Sequence, residues 1–146
     1  MSVLVADGHA DVATRPVHDV LDFRTAPPGL LDLHEFRLSP LDETGHLFTL
    51  RSVEQPDIRL FLVPPRAYFP GYAPTLDAET RESLGLGDDD PVLLVVVRPG
   101  ADGDAPTANL LAPVAINPTT GQALQVVLDG AAWPLRAPLT VADSAA

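Results

Sequence analysis

The four histidines, His9, His18, His34 and His46, are the side chains best suited to metal or acid/base chemistry, and none pairs with another at i, i+2 or i, i+4 spacing. Zinc and cupin-type centres need imidazoles that converge. Asp7, His9 and Asp11 do alternate, and on a strand they would share one face. They fall within residues 1–16, a small and polar stretch expected to be a flexible or weakly paired N-terminal segment, so a solvated tail is the simpler expectation. The chain has no cysteine, which removes disulfides, thiolate nucleophiles and Cys-ligated metals. No serine sits in a G-x-S-x-G elbow, and no glycine-rich loop with a following Lys could cradle a phosphate. With 20 acidic residues, two carboxylates will lie close together by chance, so proximity alone would not mark a catalytic pair. No enzymatic activity, cofactor or metal is expected.

The elements that would position any site are short and extended. Sixteen prolines and ten glycines punctuate 146 residues, which disfavours long helices. Strands are expected near residues 17–24, from Phe36 to Leu41, from Leu47 to Val53 and from Ile58 to Val63, joined as a meander. Leu30, Leu31 and Leu33 with Phe36 suggest one helical turn. Pro64, Pro65, Tyr68, Phe69, Pro70, Gly71 and Tyr72 form an aromatic, proline-rich connection that cannot be a central strand. One short helix is expected near residues 77–84, capped by Asp77 and stopped by Gly85. Asp88, Asp89 and Asp90 read as an acidic turn before the most apolar strand, Pro91 to Arg98. Residues from Ala108 to Asn117 and from Gln122 to Leu128 suggest a hairpin around Pro118 to Gly121, and Trp133 to Leu139 an edge strand broken by prolines. The expected fold is all-β and mainly antiparallel: a small barrel-like or sandwich domain of about eight strands over residues 17–140, with 141–146 as a tail.

A chain of this length buries roughly 68–70% of its unfolded surface, enough for one core. The formal charge of −11 repels phosphate backbones, so direct nucleic-acid binding is disfavoured, while a basic protein partner is favoured in a salt-dependent way. The first residues lack the basic and apolar regions of a secretory signal, and the longest apolar run, Val92 to Val97, is too short to span a bilayer. A cytoplasmic protein without membrane contact is the expectation.

The least generic stretch is 106–128, PTANLLAPVAINPTTGQALQVVL. It closely resembles the signature of the flagellar assembly factor FliW family, a T-x-N-L-x-A-P-[IV]-x-[IV]-N block followed after a turn by Q-V-[VI]-L. Upstream, Phe48, Leu50, Ser52, Val53, Glu54, Pro56, Phe61, Val63 and Pro64 resemble the family's paired strands, and Phe69 with Tyr72 its aromatic pair. Trp133, Pro134, Leu135 and Arg136 resemble its C-terminal Y-P-[LI]-R. The similarity departs at Gly29 to Leu33, and at Thr120, Gly121 and Gln122, where basic residues are common in the family. Such departures raise the reading of a paralogue that keeps the fold and has lost one partner.

The resemblance implies a β-barrel-like protein that binds newly made flagellin and the translational repressor CsrA, relieving repression of flagellin mRNA. A small-ligand or catalytic barrel using its interior or mouth is the alternative. Candidate partner-binding residues are Tyr68, Phe69, Tyr72, Asp88, Asp89, Asp90, Asn109, Leu110, Asn117 and Gln125. Asn109 and Asn117 suit local backbone bonding at strand ends, and Gln125 in an apolar strand demands a partner.

Overall fold

The computed structural model describes residues 2–5, 15–23, 34–41, 46–65, 68–69, 72, 74, 76–86, 91–98, 105–128 and 137–138. Five strands form an antiparallel meander: β3 (Val20–Phe23), β4 (Glu35–Pro40), β5 (Phe48–Ser52), β6 (Arg59–Val63) and β7 (Val92–Arg98). β7 also pairs antiparallel with β9 (Val114–Ile116), which pairs with β10 (Gln122–Gln125). β10 then runs parallel to β3 through Gln122↔Asp22 and Ala123↔Phe23, so the sheet closes into a seven-stranded barrel. Closure leaves the ring without the open edge that invites association with another chain. β8 (Thr107–Ala108) pairs with the far end of β7 and carries β11 (Ala137–Pro138) at the edge, where a proline is tolerated.

Burial follows the two-residue period of the strands. In β4, Phe36 and Leu38 point inward while Glu35 and Arg37 are exposed. β7 is apolar from Val92 to Val97 because both of its faces are covered there, and ends on the exposed Arg98. Val92, Leu94 and Val96 join the barrel interior, Leu93 joins the cluster under the helix, and Val95 and Val97 pack with Tyr72, Leu110 and Ala137. The interior is filled by Leu21, Phe23, Phe36, Leu38, Phe48, Leu50, Leu62, Ile116 and their neighbours, with Phe23 and Phe36 edge-to-face at 5.3 Å.

Helix α1 (Ala78–Ser83) lies where the cap and stop residues place it. The Asp77 carboxylate accepts the Thr80 N–H at 2.8 Å, and the Thr80 hydroxyl and N–H hold that carboxyl below its ordinary range. At the other end Gly85 adopts φ +66°, its N–H donates to the Glu82 carbonyl and the Leu86 N–H donates to the Arg81 carbonyl. This pair of bonds is a Schellman stop, which needs a residue tolerant of the left-handed region.

The chain differs from expectation near its start. The single strand foreseen near 17–24 is two strands, β2 (Arg15–His18) and β3, broken by a bend at Asp19. The break arises because the segments have different partners. β2 pairs with β1 (Ser2–Val5), whereas β3 pairs with β4 and β10. Residues 1–16 thus contain a paired strand whose Val5 is fully buried beside Val17, a long-range pairing that the local sequence does not announce. The suggested helical turn at 30–33 and most of the segment from Trp133 to Leu139 lie outside the described residues, as do Asp7, His9 and Asp11.

Candidate functional site

The aromatic connection after β6 folds back over the barrel's outer wall. Tyr72 is buried, and its hydroxyl donates to the Leu110 carbonyl at 2.7 Å, while Tyr68 and Phe69 are half-buried against the same cluster. The Tyr68 hydroxyl reaches the His46 carbonyl at 3.4 Å. Asn109 turns the chain by accepting the N–H groups of Leu111 and Ala112, both at 3.1 Å, and so presents buried Leu110 to Tyr72. From the neighbouring strand the Gln125 amide donates to the Ala112 carbonyl at 3.0 Å. Tyr68, Phe69, Tyr72, Asn109, Leu110 and Gln125 therefore belong to one assembly roofed by the aromatic loop.

Asn117 stands apart from that group, between the helix and the β9–β10 turn. Its amide donates to the Leu84 and Gly85 carbonyls at 2.9 and 3.4 Å, and its oxygen accepts the N–H groups of Thr119 and Thr120. One buried side chain thus ties the end of α1 to a hairpin turn distant in sequence. Asp88, Asp89 and Asp90 lie outside the described residues.

Two of these residues carry predictions. In Asn117→Asp the acceptor bonds survive, but a carboxylate oxygen faces two carbonyls at the negative end of a helix. The variant is expected to lose about 2–3 kcal/mol of unfolding free energy at neutral pH, more than Asn117→Ala, and to recover part of it in acid once the carboxyl can donate. Urea denaturation at both pH values checks this. Burial pushes the Tyr72 phenol well above its ordinary value of 10.0. The folded state then holds its proton where the unfolded chain releases it, so this contribution is intact below pH 10.0 and is lost progressively above it. Tyr72→Phe is expected to lower stability at neutral pH by about 1–2 kcal/mol, by orphaning the Leu110 carbonyl, and to flatten the alkaline decline. Denaturant midpoints across the alkaline range measure both effects.

The structure also brings together residues that sequence reasoning missed. Val20, Asp22, His34, Glu35 and Glu54 line an open cleft of about 450 Å³ on the outer wall. Glu54 Oε1 accepts the N–H groups of His34 and Glu35 at 3.3 and 2.9 Å, and the His34 ring Nδ1 lies 2.9 Å from the Phe23 carbonyl oxygen. Strand register, which assembles this acidic wall from residues up to 34 positions apart, was the missing signal. Among the described residues no three His, Asp or Glu side chains are grouped to hold a metal ion. No helix among them is long and apolar enough to cross a membrane.

The family model for the FliW protein matches residues 8–139 of this chain. The chain belongs to the FliW family. The flagellar assembly factor FliW of Syntrophotalea carbinolica is 40% identical over 112 residues, covering 76% of this chain and 79% of that protein. The Moorella thermoacetica FliW is 36% identical over 120 residues, covering 81% and 76%. A crystal structure of the flagellar assembly factor FliW superposes with a TM-score of 0.75 at 29% identity, over 95% of this chain and 96% of that one. FliW is a family of flagellar assembly factors, not of enzymes, and the filled barrel and surface-borne polar groups described above are the FliW fold in this sequence.

Proposed function

We propose that this protein binds flagellin and the translational regulator CsrA in the cytoplasm, and that by sequestering CsrA it relieves repression of flagellin mRNA. Family membership over residues 8–139 is the observation that carries this reading. The charge supports it: −11 on a small barrel attracts a basic RNA-binding dimer, and the wall formed by Asp22, Glu35 and Glu54 concentrates that charge on the described surface. A barrel interior packed with aromatic and aliphatic side chains leaves binding to the outside.

The exposed portions of Tyr68 and Phe69, together with Asp88, Asp89 and Asp90, would make the partner contacts. Tyr72, Asn109, Leu110, Asn117 and Gln125 would act by holding the surrounding surface in place. The test is co-purification of the tagged protein with flagellin and with CsrA from its own organism at low salt. Recovery of both is expected, and recovery of neither would refute the proposal.

A further inference from the structure

All nine basic residues of this acidic chain are arginines, and three of them stand side by side. Register pairs Arg37 with Arg51, and Arg51 with Arg59, across β4, β5 and β6. Directly opposed residues project from the same face, and all three are exposed, so they form a row on the barrel's outer wall. Opposed like charges destabilise a sheet, which makes this an arrangement that folding alone does not favour.

The row is only partly neutralised. Arg37 is held by Asp19 at 3.1 Å, and the Arg59 guanidinium lies 5.2 Å from the Phe61 ring centroid. Neither Arg51 nor Arg59 makes an ion pair among the described residues. The adjoining row on one side is acidic, with Asp22 and Glu35, and on the other less polar, with Ser39, Thr49, half-buried Phe61 and Val97 in register. A cationic line bordered by an aromatic shelf is thus presented by a protein whose net charge is negative.

We infer that the Arg37–Arg51–Arg59 row with Phe61 docks an acidic amphipathic helix of a protein partner, independently of the flagellin and CsrA reading. Strands lie about 4.8 Å apart and a helix advances about 5.4 Å per turn, so carboxylates at i and i+4 match Arg51 and Arg59. Guanidinium groups take carboxylates in paired hydrogen bonds, and an apolar side chain flanking the carboxylates covers the Phe61 shelf. A polyanion of phosphates is disfavoured because the −11 charge repels it beyond this short row.

The probe is a synthetic helical peptide with Glu at i and i+4 positions and Leu alongside, compared with a scrambled peptide of the same composition. Binding to the full chain is read by fluorescence anisotropy at low and high salt. The designed peptide is expected to bind at least tenfold more tightly than the scrambled one, and to weaken as salt rises. The double variant Arg51→Glu, Arg59→Glu is expected to lose at least tenfold in affinity, and Arg51→Gln, Arg59→Gln a smaller factor. The Gln pair should melt no lower than the parent, since it removes an opposed like-charge pair, and it keeps the test independent of folding, whereas the Glu pair sets two carboxylates in register at 51 and 59. Unchanged binding in both variants, or no preference over the scrambled peptide, would overturn the inference. So would tighter binding of an oligouridylate or of phosphatidylserine vesicles.

Discussion

Gly121→Ala is expected to lower the unfolding free energy by about 3–5 kcal/mol, enough to unfold much of the protein. Gly121 sits at φ +82°, in the left-handed region where a side chain is strained, and a Cβ there would collide with the Val20 carbonyl oxygen. That collision is with backbone and cannot be relieved by a rotamer change. It also falls at the seam of the barrel. The Gly121 carbonyl accepts the Asp22 N–H at 2.8 Å, and the Pro118 carbonyl accepts the His18 N–H at 2.9 Å. Pushing this turn outward would separate β10 from β3 along the one parallel pairing that closes the ring. Chemical denaturation should show the loss, and hydrogen exchange should show Asp22 and Ala123 becoming less protected than the β4–β5 pairing. A variant as stable as the parent would mean that the turn accommodates a side chain by moving freely.

Phe36→Ala is expected to lose about 3–5 kcal/mol by a different route. Phe36 is fully buried in the barrel, edge-to-face with Phe23 at an interplanar angle of 71°. Removing it forfeits the transfer energy of the ring and its aromatic contact, and leaves a void that a closed barrel cannot collapse around. Its neighbours are held by strand pairing on both sides, with Phe36 itself registered between Leu21 and Ser52. Phe36→Leu should recover more than half of the loss, because volume is largely restored. Thermal and urea unfolding of the two variants decide between this account and a loosely packed interior, for which the two substitutions would differ little.

These two positions show which parts of the fold were legible in the sequence. Phe36 alternates with exposed neighbours, so its strand and inward direction follow from period alone, as do the meander from β3 to β7 and the capped helix ended by Gly85. Gly121 looked like a turn glycine at a point where the family pattern is altered. What makes it indispensable is the Val20 carbonyl, a hundred residues away. The same limit applies to the bend at Asp19, the pairing of β1 with β2, and the parallel closure of β10 on β3. Each is decided by which strands meet, and local pattern does not encode that.

The candidate surface divides in the same way. The local roles of Asn109 and Asn117 were readable because short amides bond nearby backbone, and both do so here. That Asn117 also secures the end of α1, and that Tyr72 meets Leu110, required the fold. The acidic wall at Asp22, Glu35 and Glu54 and the arginine row beside it were invisible in the linear sequence, where their members are scattered among strands.

Calorimetric titration of the purified protein with CsrA, at low and at high salt, checks the proposed partnership. The charge on this barrel predicts a complex that forms at low salt and weakens at least tenfold as salt screens the opposed surfaces. No detectable heat with CsrA at low salt, or an affinity indifferent to salt, would contradict it.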